Sequence, residues 1–184
     1  MPRVEVLIDW VGHSKFLTKI DMSRGFWQIP IKEESKKYTA FVVASNQHFV
    51  WNVLPFGLSN SSVMLSRLVA KLLKGLGEFP DNYMDDLIIC SDTFSDQLFQ
   101  LKCVFERVRE AELTLNPKKC EFGSARLEFL DHFTGSGQVR PLQAKLDALV
   151  SFPRPSSRKQ LQSYLGLAGY YRKFYLIFLT LRPF

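Results

Sequence analysis

The 184-residue sequence predicts an α+β fold, a mainly antiparallel sheet with helices on one face. Two observations lead there. The hydrophobic period switches between two and about 3.6 along the chain, and the β-favouring runs come in hairpin-like pairs divided by turn-forming residues. The resulting order is strand, hairpin, helix, hairpin, helix, short strands and then helices.

Met1 to Gly12 reads as an amphipathic helix, with Val4, Leu7, Ile8 and Val11 on one stripe and a glycine closing it. Phe16 to Met22 follows as a compact strand carrying the acid Asp21, broken by Ser23-Arg24-Gly25. Thr39–Val43 and His48–Leu54 are β-rich runs around Ser45-Asn46-Gln47, so a hairpin is expected, ended by Pro55-Phe56-Gly57. From Ser59 the period becomes helical through Val63, Leu65, Leu68, Val69, Leu72 and Leu73, with Ser59, Asn60 and Ser61 available as caps and Gly75 or Gly77 as the stop.

A second hairpin is expected over Tyr83–Cys90, and then a helix from about Phe94 to Glu112 burying Leu98, Leu101, Val104, Phe105 and Val108. Asn116-Pro117-Lys118-Lys119 is a turn, and Glu121–Gly123 and Arg126–Leu130 suggest a further pair of strands. Beyond Pro141, Leu142–Phe152 and Arg158–Phe174 are amphipathic helices across a proline turn, the second with Leu161, Tyr164, Leu165 and Leu167 at core spacing.

Composition is globular: 46% of residues are hydrophobic and 23% charged, without low-complexity tracts, which excludes a disordered chain. The net charge of +6 suits a polyanionic partner. Cys90, Cys103 and Cys120 are odd in number and lack histidines at zinc-ligand spacing, so they read as reduced thiols in an intracellular protein of cytoplasm or nucleus. No leader opens the chain. The longest apolar stretch, at residues 175–179, is too short to span a bilayer, so no membrane partner is expected.

The sequence is organised around Asn82-Tyr83-Met84-Asp85-Asp86-Leu87-Ile88-Ile89-Cys90, where two adjacent acids are framed by a β-favouring apolar run. Like charges at close range resist joint ionisation, so such a pair is either a solvated turn or a site for a divalent cation. In an antiparallel layout the end of the Ile20-Asp21 strand reaches this turn and brings a third carboxylate to the same edge.

With these residues on view, the chain resembles the palm region of a reverse transcriptase from a gypsy-type (Metaviridae) retrotransposon Pol polyprotein. The matching stretches are Met1–Val4 with Leu7-Ile8, Phe16–Asp21, Gly25–Ile29, Thr39–Phe41, Leu54–Asn60, Tyr83-Met84-Asp85-Asp86, Leu113–Phe122, Phe129-Leu130 with His132, and Tyr164–Phe174. They run through nearly the whole length in the family's order. The resemblance implies a ferredoxin-like palm at residues 15–140, behind a lead-in helix at 1–14. It places the second half of the fingers at about 30–60, a primer grip at about 129–140, and the start of a helical thumb or connection at 141–184.

It further implies RNA-directed DNA polymerisation, with two Mg²⁺ ions (Mn²⁺ able to substitute) held by Asp21, Asp85, Asp86 and the Met22 carbonyl. Lys119 would give a proton to pyrophosphate. Arg24, Gly25, Phe26, Phe56 and Gly57 would border the dNTP, with the Phe26 ring excluding a ribose 2′ hydroxyl, although the same ring also reads as a core phenylalanine. Tyr83, Met84, Leu130, His132 and Phe133 would meet an RNA or DNA template with its primer; oligomeric state is left open.

Three departures stand out. Ser61-Ser62 replaces the family's Ala-Pro, Asp131 stands where glycine precedes the histidine, and the first half of the fingers with its triphosphate-binding basic residues is expected to be missing. No RNase H region is expected within the chain. The alternative readings are an inert remnant that at most binds nucleic acid, and a nuclease using the same acids.

Overall fold

The computed structural model describes residues 4–44, 47–77, 79–83 and 86–174. In chain order the elements are α1 (Val4–His13), β1 (Phe16–Asp21), a 3-10 turn at Gly25–Gln28, α2 (Glu33–Lys36), β2 (Phe41–Val43), β3 (Gln47–Phe49), α3 (Ser61–Leu73), β4 (Pro80–Tyr83) and β5 (Asp86–Ser91). They continue with α4 (Phe94–Glu110), β6 (Glu121–Ser124), β7 (Leu127–Phe129), β8 (His132–Gly135), β9 (Gln138–Pro141), α5 (Gln143–Val150), α6 (Arg158–Tyr170) and a 3-10 turn at Arg172–Phe174.

The main sheet has the order β4-β5-β1-β6 and is antiparallel throughout. Its central strand β5 is buried at every position after Asp86, as expected of an apolar run covered on both faces. Alternation divides the two faces. Ile20, Leu87 and Ile89 pack with Leu65, Val69, Leu72, Val104 and Val108, which is the side α3 and α4 cover. Leu17, Ile88 and Cys90 pack with Leu7 and Val11 of α1 and with Leu127 and Phe129 of β7. The α1 stripe is therefore core at Leu7, Ile8 and Val11, as its spacing predicts.

A buried polar network locks α4 to the sheet. Gln97 is fully buried; its amide donates to Thr18 Oγ1 at 2.5 Å, its carbonyl accepts from Ser91 Oγ, and the Gly123 N–H also donates to Thr18 Oγ1 at 3.0 Å. With these bonds β1, β5, β6 and α4 satisfy one another's polar groups, which a dry interior requires.

Several expectations change. Glu121–Gly123 and Arg126–Leu130 do not pair with each other: β6 joins the free edge of β1, and β7 starts a separate β7-β8-β9 sheet. The stretch around 129–140, expected as a primer grip, contains the whole of β8 and most of β9. Asp86 is no turn residue but the first residue of β5, paired with Tyr83. Val63, Leu98, Leu161 and Leu165 are 41–54% exposed, because their helices turn only a narrow stripe toward the sheet or toward each other. The last long helix ends at Tyr170. Asn60 occupies the N-cap position of α3 without a side-chain capping bond, while Ser61 Oγ donates to the Pro55 carbonyl instead.

The β2-β3 hairpin stands apart as a two-stranded sheet with every residue exposed. Residues 1–3 of the expected first helix, Ser45-Asn46 of the hairpin loop and the apolar stretch 175–179 lie outside the described residues. Among the described residues no helix is long and apolar enough to cross a membrane.

Candidate active site

β1 and β5 run in unbroken register from Phe16↔Ser91 to Asp21↔Asp86, and Asp86 in turn pairs with Tyr83 on β4. Directly opposed residues project to one face, so Tyr83, Asp86 and Asp21 form a row across three strands. Asp21 is 15% exposed at its side chain, and the Lys119 ammonium lies 3.7 Å from its carboxylate. Two of the three predicted acids are thus adjacent; Asp85 and Met84 lie outside the described residues. Among the described residues no group of three or more His, Cys, Asp or Glu gathers as a metal cluster.

The segment leading to Lys119 is fastened to the end of β1. Ser23 N–H donates to the Thr114 carbonyl at 3.0 Å, Asn116 N–H donates to the Asp21 carbonyl at 2.9 Å, and Met22 bridges Leu115. Gln28 completes this seam. Its amide donates to the carbonyls of Ser23 at 2.6 Å and Thr114 at 2.9 Å, and its own carbonyl accepts from Thr114 N–H at 2.7 Å. Gln28 and Asn116 were not among the predicted site residues. A polar side chain in the apolar run Phe26-Trp27-Gln28-Ile29 was the available signal.

A cleft of about 320 Å³ opens beside Asp21, lined by Met22, Arg24, Gly25, Phe26, Phe56 and Lys119 among others. The sequence-predicted nucleotide residues therefore converge on one place, except Gly57, which lines the neighbouring cleft with Trp27 and Trp51. Phe26 has both of its expected characters: it packs against the core around Leu65 and also faces the cleft, edge-on to Phe56 with ring centroids 5.0 Å apart. Gly25 packs closely, since a Cβ there would sit tightly against Leu65 Cδ2 at 3.3 Å and Met22 Cβ at 3.4 Å. The Arg24 guanidinium stacks over Trp27, 5.3 Å from the ring centre.

At the other end of the row, Tyr83 and Leu130 pack against the same apolar cluster. Leu130 and Asp131 form the two-residue turn between β7 and β8; Phe133 is 39% exposed. His132 is enclosed: it meets the Leu130 carbonyl at 2.6 Å, and its ring lies 5.3–5.6 Å from those of Tyr170, Tyr171 and Phe174. Burial holds its pKa below the ordinary value. Burial likewise pushes the Cys90 thiol up to about 12, so this cysteine is a packed hydrophobe and no nucleophile.

The family model described as reverse transcriptase (RNA-dependent DNA polymerase) matches residues 6–167. The chain is similar to the retrovirus-related Pol polyprotein from transposon 297 of Drosophila melanogaster, 35% identical over 175 residues, covering 95% of this chain and 16% of that protein. The Pol polyprotein from transposon gypsy of the same organism is 29% identical, with 95% and 17% covered. Among solved structures, the foamy viral protease-reverse transcriptase bound to double-stranded DNA superposes with a TM-score of 0.84 at 30% identity, covering 94% of this chain and 30% of that one. The chain thus spans under a third of each of these proteins.

Proposed function

Because this chain belongs to the reverse transcriptase (RNA-dependent DNA polymerase) family, we propose that it carries the nucleotidyl-transfer centre of a retroelement polymerase. In this reading it extends a primer 3′ hydroxyl with dNTPs on an RNA or DNA template. The observation that carries the reading is the Asp21–Asp86 register with Lys119 beside it. Two carboxylates facing each other across a strand pair leave a concentration of negative charge that a cation relieves, and a protein cation already stands 3.7 Å from one of them.

Hard oxygen donors of this kind fit Mg²⁺, with Mn²⁺ a substitute, and would hold it through Asp21 and Asp86 together with Asp85 and the Met22 carbonyl. Two such ions supply charge stabilisation to the attacking and leaving oxygens of an in-line phosphoryl transfer. The protein's own groups do the rest. The seam from Gln28 to Thr114 fixes the cleft wall. Lys119 carries a proton at the cleft mouth for the departing pyrophosphate. The Phe26 ring, pinned by Phe56, limits the room beside the sugar and favours deoxyribose. Tyr83, Met84, Leu130 and Phe133 form the primer and template side, with the enclosed His132 supporting them from behind.

On this reading residues 15–140 are palm, with the second half of the fingers at 30–60 and a primer grip at 129–140, and 141–184 begin a thumb. The separateness of β2-β3 and of β7-β8-β9 from the main sheet supports that division. A second reading, nucleic-acid binding without turnover, draws on the β2-β3 hairpin, whose strand residues are all exposed. Primer extension on a homopolymer template with Mg²⁺ decides between them. Incorporation that Asp85→Asn and Asp21→Asn abolish supports polymerisation, and equal product from wild type and variants removes it. Cleavage of labelled template under the same conditions would instead indicate a nuclease.

A further inference from the structure

The turn that joins β7 to β8 is held in an unfavourable backbone shape. Leu130 and Asp131 both adopt left-handed conformations, with φ of 48° and 59°. Two successive positive φ angles suit glycine or asparagine; a branched leucine is costly there. Such a turn persists only where its surroundings over-determine it.

Those surroundings come from the helices after Pro141. The Leu130 carbonyl accepts from the Tyr170 hydroxyl at 2.9 Å as well as meeting the His132 ring. The Asp131 carbonyl accepts from Leu142 N–H at 3.3 Å and from the Tyr171 hydroxyl at 3.4 Å. Lys145 of α5 pairs with the Asp131 carboxylate at 3.3 Å, neutralising the charge this residue adds. Both carbonyls of the strained turn are therefore held by the tyrosine pair at the end of α6, whose rings also enclose His132. The segment just beyond is tied to α1, Arg172 to Glu5 at 2.9 Å and Lys173 to Asp9.

We propose that Tyr170 and Tyr171 are positioning residues that hold the Leu130–Asp131 turn in its left-handed form, so that the seating of α5 and α6 sets where the turn meets a primer end. This rests on the reading of Leu130 and Phe133 as primer contacts. The tyrosines touch no reacting atom. Their hydroxyls act through the two backbone carbonyls of the turn, and the rings act through His132.

The test compares the full chain with Tyr170→Phe, which keeps the ring and removes only the hydroxyl, and with Lys145→Met. Fluorescence anisotropy is read with a labelled duplex bearing a recessed 3′ end and with a blunt duplex of the same sequence. Amide hydrogen exchange is read in parallel across residues 129–133. The expected result for Tyr170→Phe is faster exchange confined to those residues and a loss of about tenfold in preference for the recessed end, the scale of one lost hydrogen bond to a constrained group. Affinity for the blunt duplex stays unchanged. Unchanged exchange in both variants overturns the proposal. So does a wild-type preference for the recessed end that both variants retain. A wild type that binds both duplexes equally removes the primer reading instead, while the exchange data still decide whether the tyrosines hold the turn. If Tyr170→Phe melts below the assay temperature, Tyr171→Phe, which removes the hydroxyl on the Asp131 carbonyl and keeps the ring, takes its place with the same expected and overturning results.

Discussion

Asp21, the last residue of β1, stands directly across from Asp86, the first residue of β5, at the end of a strand pair whose register has no bulge between Phe16 and Asp21. Like charges placed opposite each other across strands destabilise a sheet by about 0.2–1 kcal/mol. Asp21→Asn is therefore expected to leave the chain at least as stable as wild type in metal-free buffer. Under the proposed metal-binding reading, Mg²⁺ should raise the wild-type melting temperature by binding the folded state, and Asp21→Asn should remove that rise. Primer extension should fall by roughly three orders of magnitude, since metal-held charge stabilisation is worth several kcal/mol. Thermal melts with and without Mg²⁺, alongside incorporation assays, check both parts.

Lys119 pairs with Asp21 at 3.7 Å while two-thirds exposed. An exposed pair of this length contributes little to folding, within about 0.5 kcal/mol. Lys119→Met should thus melt like wild type but slow single-turnover incorporation by about a hundredfold, as loss of a general acid does. Equal single-turnover rates would rule out the proton-donor role.

Gln28 uses its amide as a two-way clamp on Thr114 and Ser23. Gln28→Met should lower the unfolding free energy by about 1–3 kcal/mol, because backbone groups beside the cleft lose partners. Gln28→Glu should not rescue it, since a carboxylate only accepts and would face the carbonyls of Ser23 and Thr114. Urea unfolding of the three proteins provides the comparison.

His132 titrates below its ordinary value of 6.5, chiefly from burial, with the Leu130 carbonyl and Asp131 acting against the shift and Lys173 with it. Near neutral pH the ring is uncharged in both states. As pH falls through 6.5, the unfolded chain takes up a proton that the folded chain resists, so stability drops until the lower folded-state pKa is reached. The urea midpoint should therefore fall between about pH 7.5 and about pH 5.5, and His132→Gln should flatten that part of the profile. A midpoint with identical pH dependence in both proteins would show that His132 is not the group responsible.

Local chemistry was enough to read the elements that carry the site. Phe16–Asp21 reads as a compact strand and the run after Asp86 as a continuous β-favouring apolar stretch, signals that short-range sterics and burial impose. The 3.6 period places Leu65, Val69, Leu72, Val104 and Val108 in the core beneath the sheet. Asp21 and the Asp85-Asp86 pair were legible as candidates because their residue types and order are local properties, whereas Phe26 and Lys119 entered only through the resemblance to the family. What stayed hidden was pairing at long range. Nothing in Glu121–Gly123 says that its partner is β1 and not the next strand, since hydrogen-bonded backbone is the same in either case. The exposure of Leu98, Leu161 and Leu165 depends on how wide a stripe each helix can cover.

The fasteners of the site were equally invisible. Gln28 reaches Thr114, Gln97 reaches Thr18, and Tyr170 reaches Leu130 across 86, 79 and 40 residues. By itself the sequence determined which carboxylates are candidates for holding cations, and where most of the strands and helices lie. That Asp21 reaches the Asp85-Asp86 edge was expected from the sequence; only the tertiary structure decided the register that sets Asp21 across from Asp86, that Gln28 sews the cleft wall, and that a pair of tyrosines grips a strained turn. Hydrogen-bond partners distant in the chain are chosen by the packing of whole elements, and no local pattern encodes that choice.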